Sequence, residues 1–318
     1  MILEELLKKI KHIVSDGDWD GVVATALLIR YAKKHGIESV VEYPHPMDLK
    51  NKQFENVVAV EITPTKTWIS NSIIIDHHEK VEGFGNKWIF DENARSVAEL
   101  VSKVTGERLS KEFMEAVSNI DQGFWDRDEL TKTLFLAFQL DPGRFPRLEI
   151  TYKLVNGDEN WVIEWAKTKS KKASDLISRA EKLISKAKNL IEGEDIVFFE
   201  YRVKIEDGPR RLALLKLETR HRIVVSLGTK DNTFVTGTIA TFDNQLDLRE
   251  IFHILRQLGY NAGGRKNVGG FQATRNVTVN EVIRDLKIAF KRWLRREQLV
   301  KNQWGVASSL IRPDLPSS

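Results

Sequence analysis

The sequence predicts an α/β protein of two domains joined by a helical linker. At 318 residues the chain exceeds the usual size of one domain, and 42% hydrophobic residues are enough for ordinary cores. The first 155 residues alternate short β-rich runs with helical patterns, which is typical of a mainly parallel sheet with helices on both faces. The later part is richer in strands and predicts a smaller α/β domain with a mixed sheet.

Five short apolar runs in the first part of the chain predict strands. Their bounds are 11–15, 39–43, 57–62, 72–76 and 87–90. After the first run, apolar residues recur at helical spacing over about 20–35, and Gly36 offers an end to that helix. In parallel sheets, ligands bind beyond the carboxyl ends of the strands, so residues that follow these runs are the first candidates for a functional site.

Residues 170–192 predict one long helix, because small and apolar residues recur every three or four positions and Gly193 offers a C-cap. We expect this helix to connect the domains, and the seam of a homodimer is the alternative. Further strands are predicted at 196–203, 211–217, 223–227, 233–240 and 271–279, and helices at about 247–258 and 281–299. The predicted domain bounds are 1–155, 156–193 for the linker, 194–301, and 302–318 for a loose tail.

Composition narrows the class of protein. The chain has no cysteine, which excludes disulfides and thiolate metal sites and favours a cytoplasmic protein. It has no run of about 18 apolar residues to span a membrane, and its start, 1–5, lacks the features of a signal peptide.

Charge is unevenly distributed along the chain. The net charge is +4, yet residues 251–301 alone hold eleven Lys and Arg against three Asp and Glu. A basic C-terminal part beside a more acidic remainder suits a polyanionic substrate, and a solvated helix face is the alternative.

Two clusters of potential metal ligands follow predicted strands. Asp16-Gly17-Asp18-Trp19-Asp20-Gly21 comes after the first run, Asp76-His77-His78 closes the fourth, and Glu61 stands at the end of the third. Carboxylates on alternate residues repel one another, and oxygen and imidazole ligands together suit Mn²⁺, Mg²⁺ or a similar divalent cation. An N-cap and turn explain Asp20 and Gly21 alone, but not three aspartates that converge with a histidine pair.

These motifs resemble motifs one and three of the DHH phosphoesterase family, and the first is closest to that of RecJ-type exonucleases. The later stretch Ala262-Gly263-Gly264-Arg265-Lys266-Asn267-Val268-Gly269-Gly270-Phe271 is similar to the glycine-rich motif of the companion DHHA1 domain, G-G-G-H-x-x-A-A-G-F. The resemblance spans nearly the whole chain apart from the tail. It implies a metal-binding catalytic domain at 1–155 and a substrate-binding domain at 194–301, of the RecJ-like or nanoRNase type.

The resemblance also implies roles for individual residues. The implied metal ligands are Asp16, Asp18, Asp20, Glu61, His77 and Asp121. His78 is implied to contact the scissile phosphate, and Asp76 to orient the histidines. The implied substrate-binding residues are Gly263, Gly264, Arg265, Lys266, Gly269 and Gly270. The implied cofactors are two divalent cations, Mn²⁺ in the first place, with Mg²⁺ or Co²⁺ as alternatives.

This sequence departs from the family pattern at two positions. Glu61 stands where the family has a bridging aspartate, and its longer side chain changes reach and angle. Arg265 stands where the family usually has histidine, which permits bidentate phosphate binding but removes any proton transfer. Val14 occupies a position that is histidine in some families, which favours the RecJ-like subtype over the pyrophosphatase subtype.

The resulting expectation is a metal-dependent phosphodiesterase that hydrolyses single-stranded RNA or DNA, or short oligonucleotides, from an end. One alternative keeps the chemistry and changes the substrate to pyrophosphate, polyphosphate or a nucleotide bisphosphate. The other is a non-catalytic DHH-like subunit of a DNA-processing assembly, with Glu61 and Arg265 as marks of lost activity.

Overall fold

The chain is organised as two compact units, Met1–Ala173 and Ser174–Ser318. The computed structural model describes residues 7–8, 10–44, 52–62, 69–78, 80–81, 83–141, 143–243 and 245–309, and for 297–309 the backbone only. The boundary between the units lies inside the segment that was expected to be the linker. The mixed α/β fold class predicted from the sequence is confirmed.

The first unit is built on a parallel sheet. Its strands are β1 (His12–Ser15), β2 (Val40–Glu42), β3 (Phe54–Glu55), β4 (Val58–Val60), β5 (Ile69–Ser70), β6 (Ile73–Asp76) and β7 (Lys87–Phe90). Five of them form a sheet in the order β2-β1-β4-β6-β7, with every neighbouring pair parallel. These five match the predicted runs to within two residues at each end. The remaining two, β3 and β5, form a small parallel pair that the sequence did not predict.

In the described part of this unit, the named helices are α1 (Trp19–Lys34), α2 (Val97–Thr105), α3 (Lys111–Asp121), α4 (Glu129–Leu140), α5 (Arg144–Val155) and α6 (Glu159–Ser170). Helix α1 is buried along most of its length, because it packs on one face of the sheet and is covered by other helices. At its start, the Trp19 ring stacks on Phe138 at 4.0 Å between centroids, and its Nε1 donates to Leu134 O at 2.7 Å. These contacts anchor the loop between β1 and α1.

The opposite face of the sheet has a separate apolar cluster. Val14, Ala59 and Ile74 point to that side and pack with Phe54 of β3 and Ile69 of β5. Helices were expected on both faces, and among the residues that the structure describes this face is packed by the β3–β5 pair. The strands are therefore buried from both sides, as in other parallel sheets.

The second unit holds a mixed sheet. Its elements are α7 (Ser174–Ile184), β8 (Lys188–Asn189), β9 (Ile196–Arg202), α8 (Asp207–Glu218), β10 (Ile223–Lys230), β11 (Thr233–Ala240), α9 (Arg249–Gln257), β12 (Tyr260–Gly264), β13 (Val268–Ala273) and α10 (Val279–Ser309). The strand order is β12-β13-β11-β10-β9-β8, and only β9 and β10 pair in parallel.

The prediction of one helix over 170–192 is wrong. Helix α6 ends at Ser170, α7 covers Ser174–Ile184, and the chain then forms the short strand β8. Leu190 and Ile191 fit the helical period, but they pack instead in the core of the second unit, beside β9. Tertiary burial therefore overrides the local period, and no continuous seam remains for the alternative of a coiled-coil dimer.

The predicted strand at 211–217 is wrong as well, because this segment lies in helix α8. The segment 211–217 is too short for the spacing of its apolar residues to distinguish a strand from a buried helix. Leu212, Ala213 and Leu217 are all buried on one side of the helix, and Arg, Leu, Ala and Lys favour helix over strand.

The glycine-rich stretch is a β-hairpin rather than a loop. β12 and β13 pair in antiparallel fashion, with Gly263 opposite Gly270 and Gly264 opposite Gly269. The strand predicted at 271–279 therefore begins at Val268 and ends at Ala273. A Cβ on Gly264 or Gly269 would lie within 3.0 Å of the Phe252 ring of α9, so these two glycines permit close packing of strand and helix.

The last helix is longer than predicted. It runs over Val279–Ser309, so part of the expected loose tail is helical, while 310–318 lie outside the described residues. Its face of Val282, Leu286, Ala289, Phe290 and Trp293 is buried, as predicted. Among the described helices, none is both long enough and apolar enough to cross a membrane.

The hairpin makes a stability prediction. Gly269→Ala should lower the free energy of unfolding by about 1–3 kcal/mol, because the added methyl overlaps Phe252. Gly263→Ala is the matched control, since a Cβ there meets nothing within 4 Å, and it should change stability by less than about 0.5 kcal/mol. Calorimetric melting of both variants checks this, and equal shifts would contradict the packing role.

Candidate metal centre

Three neighbouring strands bring the predicted ligands to one edge of the parallel sheet. Asp16 follows β1, Glu61 follows β4, and Asp76 ends β6. These strands are adjacent in the order β1-β4-β6, and the carboxyl ends of parallel strands lie at the same edge. The sequence spacing alone could not show this adjacency, which depends on the crossover connections.

The loop after β1 is tightly folded. The Asp18 carboxylate caps α1 by accepting from Gly21 N at 3.0 Å, and Asp18 N donates to Asp16 Oδ1 at 3.3 Å. Gly17 has φ of 77°, in the left-handed region that favours glycine. A Cβ on Gly21 would lie within 3.0 Å of side-chain oxygens of Asp16 and Ser15, so the start of α1 approaches the carboxylates closely.

Glu61 occupies an unusual backbone conformation. Its φ is 58°, which is rare for a residue with a side chain and costs on the order of 1 kcal/mol. Its N–H donates to Ile75 O at 2.9 Å, which holds the residue at the end of β4. The side chain is 6% exposed, and its Oε2 is buried without a hydrogen-bond partner among the described residues.

The Asp76-His77-His78 segment is held by hydrogen bonds. Asp76 Oδ1 accepts from His77 N at 2.7 Å, from His78 N at 2.9 Å and from His78 Nδ1 at 3.0 Å. His77 Nδ1 donates to Ala94 O at 2.9 Å, so its Nε2 is the nitrogen that could bind a cation. Asp76 is fully buried, and its Oδ1 accepts all three bonds from the two histidines.

Six of the predicted residues converge in two overlapping groups. One comprises Asp16, Asp18 and Glu61, and the other comprises Glu61, His77, His78 and Asp121. Within each group the potential ligand atoms lie within 4.8 Å of one another. Asp121 comes from the last turn of α3, and its Oδ2 lies 3.2 Å from His77 Nε2. Glu61 belongs to both groups, which is the position of a residue that bridges two cations.

Asp20 has a different place. It belongs to neither group, is 1% exposed, and accepts from Val97 N at 2.5 Å and from Ala98 N at 2.7 Å. These are free amides at the start of α2, where a carboxylate stabilises the helix. Both oxygens of Asp20 are therefore engaged in joining the first motif to α2.

The carboxylates raise one another's pKa. Burial raises the pKa of Asp16 well above its usual value, and the charge of Asp18 raises it further. Burial also raises the pKa of Glu61, with added contributions from Asp16 and Asp18. Burial alone would lower the pKa of His77, but Asp121 raises it to about 9. The centre therefore concentrates negative charge that a cation would neutralise.

The residues present fit divalent cations. Carboxylate oxygens and imidazole nitrogens form the donor set that Mn²⁺ accepts, and no thiolate is available in the sequence. His77 Nε2 is buried without a hydrogen bond of normal geometry, like Glu61 Oε2. Glu61 Oε2 is thus a buried oxygen without a partner beside the acidic cluster, and His77 Nε2 faces the Asp121 carboxylate at 3.2 Å, an arrangement that cations would satisfy.

Arg147 is a neighbour of the centre that the sequence did not single out. Its Nε donates to Gly17 O, its Nη1 donates to Gly143 O at 2.9 Å, and its guanidinium lies 5.4 Å from the Phe138 ring centroid. It comes from α5, far along the chain, and no local motif marks it. It fixes the backbone between Asp16 and Asp18.

The second candidate feature lies in the other unit. Gly263, Gly264 and Gly270 are exposed in the hairpin, but a Cβ on Gly264 or Gly269 would meet the Phe252 ring, whereas one on Gly263 or Gly270 would meet no side chain. Arg265 and Lys266 are exposed at its turn, and Arg265 N donates to Val268 O at 2.8 Å. The structure thus brings the predicted hairpin residues together. Two of the glycines allow close packing against Phe252, and the other two lie on an open face of the hairpin.

The chain resembles known proteins in structure rather than in overall sequence. No protein-family model matches the chain, and no curated protein matches it. Several solved structures are similar, all below 25% identity, so they bear on the fold. A pGpG-specific phosphodiesterase, PggH from Vibrio cholerae, has a TM-score of 0.59 and 16% identity, covering 88% of this chain and 98% of that one.

Two other structures give the same result. RecJ from Thermus thermophilus in complex with Mn²⁺ has a TM-score of 0.52 and 14% identity, over 93% of this chain and 54% of that one. An exopolyphosphatase-related protein from Bacteroides fragilis has a TM-score of 0.55 and 11% identity, over 91% and 94%. The chain therefore has the fold of the DHH/DHHA1 phosphoesterases, the family that its sequence motifs resemble.

Proposed function

We propose that this protein is a metal-dependent phosphodiesterase that hydrolyses single-stranded nucleic acid or short oligonucleotides from an end. The observation that carries the proposal is the pair of ligand groups that share Glu61. Two cations at such a site, with Mn²⁺ as the preferred ion, supply Lewis-acid polarisation of the phosphoryl group and lower the pKa of the attacking water. The RecJ structure in complex with Mn²⁺ supports this choice of ion.

In this proposal, side chains of the first unit bind the cations and orient the scissile phosphate. Asp16 and Asp18 would hold one cation, His77 and Asp121 would hold the other, and Glu61, which belongs to both groups, would be shared between them. His78 has its Nδ1 fixed by Asp76, so Nε2 is the nitrogen that would meet an oxygen of the scissile phosphate, and it donates to that oxygen when both ring nitrogens carry a proton. In this assignment Asp76 positions His78 and does not itself contact the substrate.

Nucleic acid is the preferred substrate class because of charge on the second unit. Helix α10 exposes a row of cations: Arg284, Lys287, Lys291, Arg292 and Arg295. Several exposed cations on one helix suit a polyanionic backbone better than a single small phosphate. The RecJ-like first motif favours cleavage from an end, and PggH shows that a protein of this fold and length acts on pGpG.

A small-molecule phosphatase is the second candidate. The exopolyphosphatase-related protein has the same fold, and Arg265 in place of histidine suits an inorganic phosphate as well as a nucleotide. A panel of pGpG, a labelled adenosine hexanucleotide, pyrophosphate and polyphosphate separates the candidates. Hydrolysis of polyphosphate without oligonucleotide products would favour this second function.

The first prediction concerns the ligands. Asp18→Asn should lower kcat/KM for the hexanucleotide with Mn²⁺ by at least about 100-fold, because it removes a charge that holds a cation. Asp126→Asn is the matched control, since Asp126 is exposed and belongs to neither ligand group. Undiminished hydrolysis by the Asp18 variant would reject the assignment.

The second prediction concerns Asp20. Asp20→Asn should destabilise the protein by about 1–3 kcal/mol, because an amide cannot accept both α2 N–H groups. The rise in Tm on adding Mn²⁺ should persist, because Asp20 lies outside both groups. Loss of that rise, with a normal Tm before metal addition, would show that Asp20 is a ligand.

The third prediction concerns pH. Groups with a raised folded-state pKa bind protons more tightly when folded, so they contribute stability at lower pH and lose it as pH rises through the folded pKa. For His77, this window runs from its ordinary value of 6.5 to about 9, and the raised pKa values of Asp16 and Glu61 act in the same direction. With EDTA, Tm should therefore increase as pH falls from about 8 to about 6.

The stabilisation by Mn²⁺ should have the opposite pH dependence, because the cation displaces the protons that these groups bind. Its stabilisation, measured as the increase in Tm over EDTA, should be larger at about pH 8 than at about pH 6. His77→Gln should flatten both trends. An increase in Tm that is equal at the two pH values would count against a proton-linked metal site.

A further inference from the structure

One row of residues crosses the sheet of the second unit. The strand registers pair Gly263 with Gly270, Gly270 with Thr238, and Thr238 with Ser226. Residues that lie directly opposite one another on neighbouring strands project to the same face. The row therefore carries two glycines followed by two hydroxyl side chains on one side of the sheet.

The glycine end of this row is open. A Cβ on Gly263 would meet nothing within 4 Å, and a Cβ on Gly270 would meet only Gly237 O at 3.6 Å. Alternation along a strand directs Gly264 and Gly269 to the other face, where Phe252 covers them. A ligand can therefore approach the backbone of Gly263 and Gly270 without displacing a side chain.

Arg210 lies at the hydroxyl end of the row. It comes from α8, and its Nη1 donates to Thr238 Oγ1 at 3.0 Å. Its guanidinium lies 5.4 Å from the centroid of the Tyr201 ring, and its Nε is buried without a hydrogen-bond partner. The next side chain in the row, Ser226, is fully buried, and its hydroxyl also lacks a partner among the described residues.

Within the part of the chain that the structure describes, Arg210 makes no ion pair, although it is half-buried. Burial raises the pKa of Glu218, on the same helix, to about 7, and the charge of Arg210 opposes that increase. A half-buried cation with an unused N–H is stabilised by an anion that binds beside it.

The opposite flank of the row carries a second cation. Arg265 N donates to Val268 O, which continues the β12–β13 ladder by one pair and directs the Arg265 Cβ to the open face. A phosphate over Gly270 would lie about 4.8 Å, one strand spacing, from the strand of Thr238. Arg265 thus approaches the glycines from the end of β12, and Arg210 of α8 approaches them from the side of Thr238.

We propose that Arg210 is a substrate-binding residue, and that the Gly263–Gly270–Thr238 row binds a terminal phosphomonoester between Arg210 and Arg265. Two guanidinium groups suit the dianionic charge of a phosphomonoester better than the single charge of an internal phosphodiester. The proposal rests on the proposed function for its substrate class, but its binding step does not need the metal centre.

The experiment compares Arg210→Met with Arg211→Met, an exposed neighbour on the same helix. Fluorescent adenosine trinucleotides with a 5′-phosphate, a 3′-phosphate or no terminal phosphate are titrated by anisotropy in EDTA, so that hydrolysis does not interfere. We expect the wild type to prefer one phosphorylated probe. Arg210→Met should weaken binding of that probe about tenfold and leave binding of the unphosphorylated probe unchanged.

Two further variants guard against a folding defect. Thr238→Val removes the contact that holds Arg210 but keeps the charge, and Arg210→Lys keeps a charge without the planar fork. Both should retain the wild-type Tm to within a few degrees and show intermediate affinity. With Mn²⁺, Arg210→Met should raise KM and leave kcat within about twofold, because the ligand groups lie in the other unit.

The outcomes are separable. If Arg210→Met and Arg211→Met bind the phosphorylated probe equally, Arg210 only braces α8 and the inference is wrong, whatever the enzyme hydrolyses. If the wild type binds all three probes alike, or none of them, the terminal-phosphate site is rejected. If phosphate-dependent binding is lost in Arg210→Met but no oligonucleotide is hydrolysed with Mn²⁺, the inference stands and the proposed function fails.

Discussion

The first unit depends on how buried carboxylates are kept together. Asp16, Asp18, Glu61 and Asp121 converge where three parallel strands end, although burial and mutual repulsion favour separation. The fold imposes this proximity through strand order, through the α1 cap and through a left-handed backbone at Glu61. A cation bound there would convert the repulsion into attraction, so metal binding and stability would be linked at this edge.

The sequence predicted those parts of the fold that are marked by a pattern of neighbouring residues. Buried parallel strands are continuous apolar runs, and the acidic motifs stand at their ends, so the sheet and most ligands could be found from spacing. Asp20 shows the limit of that approach, because its partners Val97 and Ala98 are distant in sequence. The same motif therefore holds residues with different roles.

The second unit was harder to predict because its signals conflict. The segment 211–217 has a composition that fits either a strand or a helix, and Leu190 keeps a helical period while lying outside a helix. In the glycine hairpin, packing against Phe252 explains two glycines and leaves the other two as an open surface. Arg210 could not be found from sequence, since only the strand register places Thr238 beside Gly270.

The segment 94–98 has a consequence for ion selectivity. Ala94 O fixes the His77 ring, and the amides of Val97 and Ala98 hold Asp20 at the first motif. One short stretch of backbone therefore contacts both motifs that contribute to the candidate centre. A centre held in this way would leave its residues little freedom to rearrange around an ion. It would favour small octahedral cations over Ca²⁺, which prefers more ligands at longer distances.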